Sequence, residues 1–171
     1  MSNTIMDQML GFIKEIGLVY HFEAIEKETF LPGLDFRKGA LLIDRNKLLY
    51  PGDILHEAGH LACMPPDIRK TMNGDLENNN LNQGGEMMAI AWSYAACLHL
   101  GIEPEVVFHA NGYKGSGSNI VDNFNEGRFF GVPLLEWCGM CYNPATAKEL
   151  NAESYPKMTS WTCEKNMYAG A

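Results

Sequence analysis

The sequence predicts an α+β fold dominated by helices, with a small hairpin or sheet beside a central helix. Three observations predict it. Residues 54–62 place Ile54, Leu55, Ala58, Leu61 and Ala62 at helical spacing, which gives one apolar side to bury. Residues 85–100 are apolar almost all round, as in a helix enclosed by its neighbours. Residues 40–43 and 47–50 are short apolar runs separated by Asp44-Arg45-Asn46, the pattern of two strands and a turn. The 171 residues show no repeat or linker and suffice for one domain, 1–171, with a substantial core.

Taken in order, residues 3–28 read as an amphipathic helix, with Ile5, Met9, Phe12, Ile13, Ile16, Val19 and Tyr20 recurring at helical intervals. His21 falls towards its polar side. Leu31-Pro32-Gly33 is a turn, followed by the expected hairpin, whose edge can hold an extended peptide by strand addition. Residues 67–85, rich in Asn, Asp and Gly, read as a long loop at the rim of a cleft. The buried helix from about Gly85 to Leu100 stops at Gly101. Short helices are expected near 104–109 and 133–140, where Pro104 and Pro133 suit first helical positions, and at 118–126. The glycine-rich run 111–117 lacks the Gly-Lys-Ser/Thr ending of a phosphate-binding loop and reads as a substrate-facing loop or turn. From Asn143 onward the pattern is too weak to place elements.

The chemistry is concentrated in His56-Glu57-Ala58-Gly59-His60. A four-residue helical step turns about 400°, so both imidazoles leave one face about 6 Å apart along the axis. That suits two corners of a tetrahedral zinc site, with Glu57 alongside to handle the proton of a water. Asp53 after Pro51-Gly52 reads as the N-cap, and Pro65-Pro66 closes the segment. The alternative is two core histidines and a solvated glutamate. It would leave an acid among buried groups without a metal, which is costly.

A third protein ligand is needed. A histidine six residues after His60 would mark a metzincin, but Pro66 stands there. The acidic candidates are Asp67, Asp75, Glu77 and Glu86. The first three lie in the polar loop, where a solvated carboxylate is the default. Glu86 begins an otherwise apolar helix, where an acid wants either a metal or the helix N-terminus. His99 is about 20 Å along the same helix, too far to share a metal with Glu86.

His56-Glu57-x-x-His60 followed by Glu86 on a second helix resembles the gluzincins, zinc peptidases with two helical histidines, a glutamate ligand from a following helix and a catalytic glutamate. Glu86-x-x-Ala89-x-x-Trp92-x-x-Ala95 also resembles the Glu-x-x-Ala-x-x-aromatic stretch of small bacterial zincins of the phage-repressor-cleaving (ImmA/IrrE-like) kind. The resemblance covers about residues 40–100. It implies a zincin-like fold, a Zn²⁺ cofactor held by His56, His60 and Glu86, Glu57 as general base, and a peptide or protein substrate. At Ile90 the chain departs from thermolysin-type members, whose helix carries an Asp that orients a zinc histidine, so another partner must do that work. His109, Tyr113 and Lys114, in or beside the glycine-rich run, are the candidates for oxyanion donor.

Trp137-Cys138-Gly139-Met140-Cys141 offers a rival reading as a thiol oxidoreductase. Only 30 residues follow Cys141, too few for the rest of a thioredoxin fold, and buried packing cysteines are the simpler reading. A structural zinc on Cys138, Cys141, Cys163 and a fourth group is a further alternative, as is a metal-binding protein that cleaves nothing. The formal charge of −8, with Arg37-Lys38 and Arg69-Lys70 the only adjacent basic pairs, argues against nucleic acid. No basic n-region precedes an apolar core, and no run approaches the roughly 18 apolar residues of a membrane span. Five scattered cysteines fit reduced thiols in a cytoplasm.

Overall fold

The computed structural model describes residues 4–74 and 81–165, apart from the side chains of residues 81–83 and 114. Among the described residues it has seven α-helices and one three-stranded mixed sheet, the predicted α+β arrangement. Helix α1 (Ile5–Glu15) starts at a capping box in which the Thr4 side chain accepts from the Asp7 N–H and Asp7 returns a bond to the Thr4 N–H. It buries Met9, Leu10, Phe12 and Ile13.

The expected helix over 3–28 is therefore cut short. Gly17, at φ +90°, turns the chain while Leu18 N–H reaches Ile13 O and Gly17 N–H reaches Lys14 O, the paired bonds of a Schellman stop. Residues Val19–Phe22 then form strand β1, not a helical continuation.

The hairpin also differs from expectation. Strand β2 (Leu34–Arg37) pairs antiparallel with β3 (Ala40–Ile43), and β1 pairs parallel on the other side of β3. The turn is Lys38-Gly39, both at positive φ, the two-residue geometry that matches strand twist. Residues 47–50 make no strand. Asp44 explains why: its side chain accepts from Ile25 N–H and Asn46 N–H, and its carbonyl accepts from Lys47 and Leu48. The chain is turned out of the sheet as soon as β3 ends. The turn at 31–34 is present, closed by Leu34 N–H to Leu31 O at 3.1 Å.

Helix α2 (Gly52–Ala62) touches β3 and packs along α4 (Leu81–Leu100), with the single turn α3 (Pro66–Arg69) between them in sequence. Two glycines make α2 fit. A Cβ on Gly59 would lie 3.2 Å from Ala89 Cα and 3.1 Å from the Trp92 ring, so a small residue on each helix lets the two approach closely. A Cβ on Gly52 would fall 1.9 Å from Val106 O, so the first turn of α2 lies directly on the 3-10 turn Pro104–Val106. α4 ends at Gly101 as expected, again with a Schellman pair, Ile102 N–H to Cys97 O and Gly101 N–H to Leu98 O.

Helices α5 (Gly117–Asn125), α6 (Val132–Trp137) and α7 (Pro144–Leu150) complete the domain. The C-terminal segment, unreadable from its pattern, is placed by aromatic packing and a few long-range bonds. Trp161 meets Phe12, Trp92 and His99, and its carbonyl accepts from Trp92 Nε1 at 2.9 Å. Tyr155 Oη donates to Ala91 O at 2.7 Å. Cys163 N–H donates to Ala62 O at 2.7 Å, and Arg69 donates to Leu61 O, Met64 O and Cys163 O. The carbonyls at the end of α2, which have no partner within the helix, are thus met by Arg69 and the tail. No described helix is long and apolar enough to cross a membrane.

Candidate metal centre

His56 and His60 stand one helical turn apart on the face of α2 that meets α4, and Glu86 projects across from α4. His56 Nε2 lies 3.2 Å from Glu86 Oε1 and His60 Nε2 lies 3.0 Å from Glu86 Oε2, while the two Nε2 atoms are 3.2 Å apart. This is the one group of three or more such donors found together among the described residues, and it can hold a metal ion. Its dimensions fit: a tetrahedron with bonds near 2.1 Å has edges of about 3.4 Å. Glu86 is the sixth residue of α4 rather than its first, because the helix begins four residues earlier than its pattern suggested. The end-of-helix explanation for an acid there is correspondingly weak, since dipole stabilisation falls off within the first turn. Burial works to raise the Glu86 carboxyl, but hydrogen bonds from His56 and His60 outweigh it and hold the group well below the usual carboxylate range.

Tyr113 Oη is 2.8 Å from His56 Nδ1. With a metal on Nε2, the proton of His56 would sit on Nδ1 and donate to Tyr113 Oη; without one, Nε2 donates to Glu86 and the phenol donates to Nδ1. Tyr113 thus occupies the role left open at Ile90. Its φ of +55° is unusual for a bulky residue, and such outliers mark constrained sites. Desolvation, reinforced by the Glu86, Asp53 and Glu57 charges, keeps the phenol protonated far above its ordinary range. No described residue offers such a partner to His60 Nδ1. Glu57 makes no hydrogen bond to a described residue. Desolvation pushes its carboxyl up to about 7, with His60 opposing and the Glu86 and Asp53 charges adding.

Asp53 does not cap α2, whose N-terminus carries no side-chain cap. Instead its Oδ1 accepts from His109 Nε2 at 2.8 Å, and His109 stacks on Tyr50 with ring centres 4.0 Å apart. Nδ1 of His109 is buried without a partner, which assigns the ring proton to Nε2, since a buried N–H would cost more than a buried lone pair. His109 therefore stands behind Asp53 with its donor committed, an arrangement at odds with the expected oxyanion donor. The glycine-rich run becomes a 3-10 turn (Tyr113–Gly115) leading into α5. The side chain of Lys114 lies outside the described residues, as do Asp75 and Glu77, the rival third ligands; Asp67 is exposed beside Lys70. The loop expected over 67–85 begins with α3 and ends inside α4.

A cavity of about 360 Å³ opens on this group, lined by the polar Asp53, His56, Glu86 and Tyr113 and by the apolar Phe30, Leu31, Ile90 and Ile120. The Phe30-Leu31 contribution and the Asp53–His109 pair escaped sequence reading. Asp53 and His109 are 56 residues apart, and nothing local links them.

All five cysteines are free and buried. Burial pushes Cys141 up to about 12, and a hydrogen bond with Cys163 together with burial raises Cys138 further. Neither is poised as the thiolate that redox exchange requires. No described group of cysteines gathers three donors as the histidine site does.

No family model, curated protein or solved structure matches the chain. The reading of the site therefore stands on its own geometry.

Proposed function

We propose that the protein is a zinc-dependent peptidase that hydrolyses a peptide or protein substrate, with His56, His60 and Glu86 as zinc ligands and Glu57 as general base. The observation that carries the reading is the convergence of two Nε2 atoms and a carboxylate within 3.2 Å of one another, with an acid in the intervening sequence. Two nitrogens from α2 and an oxygen from α4, with an adjoining cavity, are the donor set of a catalytic zinc site that keeps a position open. When bound, zinc would supply a water of lowered pKa and a polarised carbonyl. Glu57 takes the proton and delivers it to the leaving amine. With zinc on His56 Nε2, Tyr113 would accept from Nδ1–H and keep its own O–H to donate into the cavity, where charge develops on the substrate carbonyl. The zincin-like fold implied by the motif and a cytoplasmic setting for the five thiols belong to the same proposal.

The test joins metal analysis with one variant. The purified protein should carry stoichiometric zinc, and His56→Ala should lose it. Glu57→Gln should keep zinc and fold but cut hydrolysis of a peptide library by at least about a hundredfold. Zinc bound with no cleavage by the wild type would make the protein a metal-binding one. Loss of zinc in Glu57→Gln would give Glu57 a coordinating role.

A further inference from the structure

Asp53 is a carboxylate with 5 % of its surface exposed, and that surface borders the cavity of the metal site. One oxygen is taken by His109 Nε2, and His109 is in turn fixed against the Tyr50 ring. The other oxygen, Oδ2, has no hydrogen-bond partner among the described residues, and it is absent from the fully buried side-chain atoms left without one among them. A nearly buried carboxylate beside a cavity, with one oxygen held and the other without a described donor, can take a donor from a ligand.

Spacing says which donor. Asp53 precedes His56 by three residues on one helix, a rise of about 4.5 Å on nearly the same face. In a peptide the nitrogen of a residue lies about 2.5 Å from its own carbonyl carbon, and a charge-assisted N–H···O bond adds about 2.8 Å. A substrate whose first carbonyl sits at the metal group therefore brings its α-ammonium within reach of Asp53. Leu31, Ile90 and Ile120 leave an apolar wall for the side chain of that first residue.

We infer that Asp53, positioned by His109, is the acceptor for the free amino terminus of the substrate, so that a peptide with an aliphatic first residue is shortened from that end. The inference rests on the peptidase reading for its chemistry. Water adds across the first peptide bond, hydroxyl to the carbonyl carbon and hydrogen to the nitrogen, and the C–N bond breaks. A free amino acid and a shortened peptide result, with no change of oxidation state.

Binding tests the subsite apart from turnover. L-Leucinamide and N-acetyl-L-leucinamide are titrated, by NMR or calorimetry, into zinc-loaded and metal-free wild-type protein and into Asp53→Asn. The free amine should bind at least about tenfold more tightly than the acetylated amide. That preference should persist without metal and vanish in Asp53→Asn. Equal binding of the two amides overturns the inference. So does a preference seen only with zinc or kept by Asp53→Asn, because the amine would then be bound by the metal. The wild-type comparisons decide the matter even where the variant fails to fold. Peptides beginning with leucine, free or N-acetylated, form the second arm. Equal cleavage of both overturns the inference and leaves the peptidase reading intact. Amine-selective binding with cleavage of neither upholds Asp53 as the amine acceptor and overturns shortening from that end, leaving the peptidase reading to the peptide library.

Discussion

Tyr113 Oη and His56 Nδ1 are 2.8 Å apart although 57 residues separate them in the chain. A phenol thus holds the ring orientation of a candidate metal ligand, a task more often given to a carboxylate or a backbone carbonyl. A neutral oxygen raises the basicity of the imidazole less than an anion would, so the site is held mainly by geometry. Tyr113→Phe removes only that oxygen. Zinc affinity, measured by competition with a chelator, should fall about tenfold to a hundredfold with secondary structure unchanged. An unaltered affinity would show that packing alone orients His56.

Glu86→Ala should weaken zinc by at least about tenfold to a hundredfold, while Asp67→Ala, which alters an exposed pair with Lys70, should leave it unchanged. The same contrast should show in heat stability. Free zinc at a hundred times Kd stabilises a binding fold by about 2.7 kcal/mol, and Glu86→Ala should lose most of that shift at the same zinc concentration. A wild-type Tm indifferent to zinc would speak against the site.

Gly52→Ala tests the close approach of α2 to Pro104–Val106. Alanine in place of glycine favours a helix by at most about 1 kcal/mol. The added methyl, however, would sit 1.9 Å from a backbone oxygen, and overpacking costs about 1–3 kcal/mol. The clash should win, with the urea midpoint lowered at an unchanged m-value. A raised midpoint would mean that the two segments part freely.

Asp44 carries a pH signature. The backbone N–H of Ile25 holds its carboxyl below the ordinary range; desolvation opposes, and Asn46 N–H and Lys47 add to the lowering. A group whose folded pKa is depressed contributes stability above its unfolded pKa, near 3.9, and loses it as pH falls through the folded value. Asp44→Asn, which keeps only one of two acceptor oxygens, should therefore have a Tm deficit that is full at pH 6–7 and shrinks below about pH 4. A deficit of equal size at pH 2.5 would assign the effect to shape rather than charge.

The His56, His60 and Glu86 cluster was legible because the spacing of the two histidines fixes their shared face, and because an acid in the apolar run around Glu86 demands an explanation. The helix pair was legible for the same reason, with Ala89 small enough for contact. The supports were not. Asp53 beside Pro51-Gly52 has the composition of a cap, and only the fold reveals that His109 claims its oxygen. The hairpin was misplaced by one strand, because Asp44-Arg45-Asn46 is as good a turn composition as Lys38-Gly39. The long-range bond from Asp44 to Ile25 decides between them. Gly17 could have ended the first helix on sight, since a glycine followed by Leu18 and a β-branched Val19 suits a stop and a strand.

The bond from Cys163 N–H to Ala62 O turns one tail amide into a clock for the helix that carries His56 and His60. In deuterated solvent that amide exchanges only when the tail lifts from the end of α2. The lag before it does so times an opening two turns beyond His56, read at a position that touches neither the cavity nor any ligand.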